Sequence, residues 1–230
     1  MTGSLPLVPL RQAYDRWSVV YDTYDNPMVS AATEIVAGIA PMVEGRHVLE
    51  LGCGTGRNLL VLSGAGAESV TGCDLSAGML AAARRKAPML SLVSADVAGP
   101  LPFADGVADV VLFCLVLEHV AALSPPLREA RRILRPGGRV VIVEIHPELA
   151  AQGVAAHFRD REKVVHMPTF AHRLEDFAQA AAEAGLQAER SRTWRPCDFA
   201  VPHPKMRKRD RNGPFALEML LEPVAATAGP

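Results

Sequence analysis

The sequence predicts an α/β fold, a doubly wound, mostly parallel seven-stranded sheet that ends in an antiparallel C-terminal hairpin. Three observations carry this expectation. Between residues 46 and 145, short runs of Val, Ile and Leu alternate with helix-like segments, the rhythm of successive β-α-β units. Two of those runs, 108–116 and 139–145, are almost wholly apolar, as strands buried on both faces are. Two later β-like runs are joined by a loop with no helix between them, which suits antiparallel pairing.

In order, Arg46–Leu51 reads as the first strand, followed by a glycine-rich turn and a helix from about Thr55. Ser69–Asp74 is the second strand, and Leu75–Lys86 a helix with Ser76 as its N-cap. Leu90–Asp96 is the third strand and Ala108–Val116 the fourth. Pro125–Leu134 reads as a helix stopped by Arg135-Pro136-Gly137-Gly138, and Arg139–Ile145 as the fifth strand. His172–Ala184 is a last helix with Gly185 at its end. Leu186–Thr193 and Phe215–Glu222 alternate apolar and polar residues and form the hairpin.

A chain of 230 residues holds one generous domain of this kind, so residues 1–230 are read as a single unit. Its net charge of -1 creates no global field toward nucleic acid or an anionic membrane. The longest apolar stretch, 110–117, is far shorter than the ~20 residues that cross a bilayer. Cys53, Cys73, Cys114 and Cys197 form no C-x-x-C pair and no zinc-type cluster, which argues for reduced thiols and no metal. With no signal-peptide pattern at the start, the expected location is cytoplasmic.

The chemistry concentrates in Val48-Leu49-Glu50-Leu51-Gly52-Cys53-Gly54-Thr55-Gly56-Arg57-Asn58. A strand running into glycines spaced two apart is where doubly wound sheets bind nucleotides. The dinucleotide fingerprint is G-x-G-x-x-G, whereas here the third glycine comes one position early. Glu50 beside the loop suits a ligand with an amino group and a sulfonium better than a diphosphate, and so ranks an NAD-linked oxidoreductase last.

This stretch resembles motif I of class I S-adenosylmethionine-dependent methyltransferases, and matches in the right order extend over roughly residues 10–145. The resemblance is to the ubiquinone/menaquinone type of small-molecule methyltransferase, and it implies S-adenosyl-L-methionine as cofactor. It places Glu50, Gly52, Cys53, Gly54 and Gly56 in the cofactor-binding glycine loop, and Asp74, with Leu75 beside it, at the ribose. Met79, Asp96 and Val97 would stand at the adenine, and Cys114, Leu115 and His119 would line the loop after the fourth strand. Tyr14-Asp15-Arg16-Trp17 and Val20-Tyr21-Asp22 resemble the helix that caps the cofactor in such enzymes, where tyrosines approach the methionine carboxylate. An equally open reading is that these aromatics only pack.

On this reading residues 1–45 are a helical cap, 46–145 the cofactor-binding core, 146–170 a lid on the acceptor side, and 171–230 the final helix and hairpin. His146, directly after the fifth strand, is the candidate base for an acceptor that must lose a proton, with a structural role as its alternative. The expected partner is a small-molecule acceptor. Lys205-Met206-Arg207-Lys208-Arg209-Asp210-Arg211 is the best case for an RNA or protein substrate, but it lacks interleaved aromatics and reads better as a solvated loop. A cofactor-binding protein without methyl transfer, such as a cyclase or a regulatory subunit, is the third reading.

Overall fold

The computed structural model describes residues 7–161 and 163–225. Its centre is a seven-stranded sheet of order β3-β2-β1-β4-β5-β9-β8. The strands are β1 (His47–Leu51), β2 (Ser69–Asp74), β3 (Ser91–Ser94), β4 (Ala108–Cys114), β5 (Leu134–Ile145), β8 (Leu186–Trp194) and β9 (Ala216–Pro223). β1 to β5 run parallel, while β9 pairs antiparallel with both β5 and β8. The expected fold is therefore observed. Among the described residues, no helix is long and apolar enough to cross a membrane.

The apolar runs account for the centre of the sheet. All but one residue of β4 and the whole of Val140–Ile145 are buried, because helices cover both faces. Helices α4 (Arg57–Gly64), α5 (Ala77–Lys86), α6 (Ser124–Ile133) and α8 (Leu174–Glu183) are those read from sequence. Ser76 caps α5 by accepting from the Met79 N–H. Helix α2 (Pro27–Ala37) starts on Asn26, whose side chain accepts from Met28 N, with Pro27 in the first turn. It packs in the same apolar cluster as β4, β5 and β9.

Boundaries differ from the sequence expectation at three places, each for a local reason. β3 is only four residues long, because Asp96 turns the chain by accepting from Ala98 N. β5 begins five residues early, at Leu134, and runs through a bulge at Pro136-Gly137-Gly138. A Cβ on Gly138 would stand 2.9 Å from the Asp109 carbonyl, so the bulge needs glycine there. β9 starts and ends one residue later than the run 215–222, and Ala216–Leu221 is fully buried between β5 and the exposed edge strand β8.

Among the described residues, α1 (Leu10–Trp17) and the 3-10 turn Tyr21–Thr23 reach over the carboxyl ends of the strands, while α2 belongs to the layer on the sheet. Residues 147–166 hold a short helix, α7 (Pro147–Ala151), and a two-stranded ribbon of β6 (His157–Asp160) and β7 (Lys163–His166). That ribbon packs on α1. Trp17 stacks on Phe158 with centroids 5.1 Å apart, Val8 N donates to His166 O, and Arg16 pairs with Asp160.

Candidate functional site

The turn after β1 is shaped by its glycines. Gly52 and Cys53 both donate their N–H groups to the Cys73 carbonyl at the end of β2. Gly52 has φ 82°, and a Cβ there would lie 2.4 Å from Val116, so no side chain fits. Gly54, at φ 52°, has nothing within 4 Å of its Cβ position, which is open space. The backbone at Gly54 is therefore approachable by a ligand.

Asp74 closes this turn from β2. One carboxylate oxygen accepts from Gly54 N and the other from Ser76 N, both at 2.8 Å. Burial raises its pKa, and the two N–H donors oppose that shift. The carboxylate is thus fixed in orientation, with further lone pairs on each oxygen. Glu50, on β1, is 1 % exposed and accepts from Asn58 Nδ2 at 2.6 Å.

These residues line a cleft of about 820 Å³, partly open to solvent. Of the residues expected at the cofactor, Tyr14, Tyr21, Glu50, Gly52, Cys53, Gly54, Asp74, Leu75, Met79, Asp96, Val97, Cys114, Leu115 and His119 all stand in its wall. Gly56 does not. Its Cβ position lies 2.9 Å from Leu90 Cδ1 and 3.3 Å from Ala83 Cβ, so this glycine serves the packing of the start of α4 against α5 and the turn before β3. Arg57, Asn58, Leu10 and Arg11 also line the cleft and were missed. Arg57 and Asn58 directly follow the glycine turn, and a charged residue in that first helical turn was the available signal.

The capping segment is attached by its acids and faces the cleft with its tyrosines. Asp15 accepts from Ser76 Oγ at 2.6 Å and Gly78 N at 2.8 Å, which binds α1 to the start of α5. Asp22 accepts from Thr55 Oγ1 and pairs with Lys86, both at 2.6 Å. Tyr14 meets His119 Nε2 at 2.7 Å, and His119 Nδ1 lies 2.8 Å from the Pro168 carbonyl. A carbonyl only accepts, so Nδ1 carries the proton. Burial holds the His119 pKa down at about 4, which leaves the ring neutral and Nε2 an acceptor. The Tyr14 hydroxyl must then donate to His119.

Leu115 follows β4 at φ 55°, an uncommon conformation for a bulky residue. Glu144 supports that turn by accepting from Val116 N and Leu117 N at 2.8 and 2.7 Å. With Tyr14 and Tyr21, Leu115 forms the wall shared with a second cavity of about 990 Å³. Trp17, Tyr24, Met28, Leu149 and Phe215 give that cavity its apolar body. Glu118 also lines it, held up at about 7 by burial, with one oxygen accepting from Ala156 N. Lys205 and Arg209 stand in the same wall, and Lys205 reaches Asp25. The basic stretch is thus part of a cavity wall, with Met206 buried and its neighbours Arg207 to Arg211 exposed.

His146 lines neither cavity, which corrects its expected placement. It is 3 % exposed and caps α7, accepting from Glu148 N at Nδ1 and meeting Thr193 Oγ1 with Nε2 at 3.1 Å. Both ring nitrogens are occupied away from the cleft. His146→Ala is expected to lower stability by about 1 kcal/mol, as loss of a helix cap does, and to leave ligand affinity unchanged. Thermal denaturation beside calorimetry checks this, and a loss of affinity at full stability would contradict it.

Comparison with known proteins agrees with this geometry. Residues 49–142 match the family described as methyltransferase domain. A demethylmenaquinone methyltransferase of Beutenbergia cavernae is 42% identical over 100 residues, covering 44% of this chain and 41% of its own. The chain spans about half the length of the curated relatives it matches. A solved S-adenosylmethionine-dependent methyltransferase from Mesorhizobium loti superposes with a TM-score of 0.70 at 22% identity, over 84% of this chain and 99% of its own. The [4+2]-cyclase SpnF does so with 0.69 at 17% identity, over 97% and 100%. The resemblance to class I methyltransferases of the menaquinone type is borne out, and the structural likenesses extend the fold beyond the methyltransferase domain to most of the chain.

Proposed function

We propose that the chain transfers a methyl group from S-adenosylmethionine to a small molecule held in the second cavity. The observation that carries this reading is the junction of the two cavities at Tyr14, Tyr21 and Leu115, with the Gly54–Asp74 cradle on one side and an apolar chamber on the other. S-adenosylmethionine fits the first cavity, because Asp74 offers oriented acceptor lone pairs for two ribose hydroxyls and Gly54 leaves its backbone open. When bound, it supplies an electrophilic methyl on a sulfonium sulfur. The chain's own task is to hold the acceptor atom in line and keep water out. Trp17, Tyr21, Tyr24 and Phe215 suit an aromatic acceptor, and Glu118 is placed to take a proton from one that must lose it.

The demethylmenaquinone in the name of the Beutenbergia relative is the first acceptor class to test. Its class fits the aromatic lining. Within the basic 205–211 stretch, Lys205 is paired with Asp25 and Met206 packs inside, so this part of it serves the chamber wall. A cytoplasmic location suits Cys53, Cys73 and Cys114, which are free and buried.

The test is calorimetric titration with S-adenosylmethionine and S-adenosylhomocysteine, with NAD as control, followed by labelled-methyl transfer to reduced demethylmenaquinone and a panel of phenols. Micromolar binding of the first two, none of NAD, and label in an acceptor are expected. Binding of NAD alone, or of nothing, would overturn the cofactor assignment. Binding with no transfer to any acceptor would move the chain to the class of cofactor-binding proteins with other chemistry.

A further inference from the structure

Among the described residues, the wall of the second cavity carries one cation without a partner. Lys205 and Arg209 both stand in that wall and both are exposed, so they mark its mouth. Lys205 is held in place. Its Nζ donates to the Asp25 carbonyl at 2.7 Å and lies 3.1 Å from Asp25 Oδ2. His203 Nε2 stands 2.6 Å from Asp25 Oδ1, so both oxygens of that carboxylate are engaged. His157, also in the wall, turns Nδ1 to the Ala155 carbonyl at 3.0 Å. The Arg209 guanidinium has no hydrogen bond, ion pair or ring contact among the described residues. Asp210, next in the chain, accepts from Asn212 N instead.

The loop that carries Arg209 is anchored although its side chain is free. Met206 is buried in the apolar cluster of β5 and β9, and Arg209 N donates to Met206 O at 3.0 Å. Earlier in the loop, Ala200 N donates to Glu34 on α2, and Phe199 stacks on Trp194 with centroids 5.3 Å apart. An unpaired arginine on a flat surface is solvated and selects little. At the rim of a cleft with low-dielectric walls, the same charge is focused into the opening.

Charge counting narrows the ligand. Asp25 balances Lys205, so one cation remains, and it matches a monoanion. A planar guanidinium meets a carboxylate through two parallel N–H bonds. A phosphate would bring a second negative charge close to Asp25 with no second free cation to meet it. A neutral quinol would fill the aromatic body and leave Arg209 unpaired. We propose that the acceptor is an aromatic carboxylic acid, its carboxylate held by Arg209 at the mouth and its ring reaching inward toward Tyr14, Tyr21 and Leu115. This rests on the methyl-transfer reading above and narrows its acceptor class, with Arg209 as the residue that sets specificity.

The test is calorimetric titration of the whole chain, with and without saturating S-adenosylhomocysteine. The ligands are 4-hydroxybenzoate, 4-hydroxyphenylacetate and 3-(4-hydroxyphenyl)propanoate, their primary amides, and the matching phosphonates. The best acid is expected to bind about 5–10-fold more tightly than its amide, between the effects of an exposed ion pair and of a hydrogen bond to a charged group. In Arg209→Gln that ratio should fall to within about twofold while the amides bind as before, which also shows that the variant is folded. Arg209→Lys should keep a preference of about two- to threefold, since the charge stays and the fork is lost. Raising salt from about 0.05 to 0.5 M should shrink the wild-type ratio and leave that of Arg209→Gln unchanged. Acids and amides that bind wild type alike, or a preference that survives Arg209→Gln, would overturn the proposal and leave methyl transfer to a neutral acceptor standing. A phosphonate favoured over its carboxylate would overturn the single-charge assignment. Acid binding that depends on Arg209, in a chain that does not bind S-adenosylhomocysteine, would keep the anion site and remove the cofactor assignment. No binding of any acid would remove the proposal.

Discussion

Replacing Asp74 with alanine is expected to lower the affinity for S-adenosylhomocysteine by roughly 10²–10⁴-fold, on the basis that each of two hydrogen bonds to a charged group contributes about 1.5–3 kcal/mol. The carboxylate ends β2 with each oxygen fixed by one backbone N–H, from Gly54 and from Ser76. Fixed acceptors lose little freedom when a ligand's two hydroxyls arrive, so most of that interaction appears as affinity. Alanine also releases the Gly54 N–H, and with it one of the bonds that shape the glycine turn. Asp74→Asn keeps one acceptor oxygen and should lose about 10–100-fold, the effect of one such bond. Calorimetry gives the affinities, and circular dichroism with thermal denaturation shows whether the fold is kept. Affinity within about threefold of wild type in a folded Asp74→Ala protein would sink the ribose assignment.

The elements legible in the sequence are those whose local signal and tertiary role coincide. The apolar runs of β4 and β5 could only be central strands, and Gly52 with Gly54 announces a turn that admits a ligand. Asp74 was visible because a strand, an acid and a capped helix follow one another without a gap. Other residues were legible as important but not in their role. Asp15 and Asp22 are attachments of the cap, and their partners lie at the start and end of α5 and in the glycine turn, 33 to 64 positions away in sequence. His146 follows a central strand as a base would, yet the chain turns there into α7 and Thr193 of the edge strand takes its ring. Gly56 belongs to the same short-spaced motif as Gly54, but its environment is set by Leu90. The basic stretch reads as a platform only while its neighbours are unknown. Once Asp25 and the buried Met206 are in place, it becomes the wall of a cavity.

Affinity for S-adenosylhomocysteine is expected to rise with pH, by roughly 25-fold between pH 6.5 and 8.5 if one proton must leave Glu50 on binding. Burial pushes the Glu50 carboxyl up from about 4.5 to about 8, and the Asn58 bond only partly offsets it. Below pH 8 the free protein therefore holds that proton, and an ammonium can be taken only by expelling it. The other groups facing this carboxyl do not confuse the reading. Cys53 and Cys114 are held neutral by burial. Asp74 also has a raised pKa, but 5′-methylthioadenosine, which lacks the amino acid tail, engages it as well, so the difference between the two ligands isolates the tail. A flat profile is expected for 5′-methylthioadenosine relative to the full ligand, and for Glu50→Gln with either. Binding heats of the wild type should vary with the ionisation enthalpy of the buffer near pH 7. The sign for folding is the reverse. A carboxyl whose folded pKa is raised adds stability that is complete below about 4.5 and is lost as pH rises through about 8. On the alkaline side the free protein should thus melt earlier while the ligand binds more tightly, and the ligand-induced gain in melting temperature should widen with pH. A gain that stays constant from pH 6.5 to 8.5 would show that Glu50 does not meet the ligand's charge.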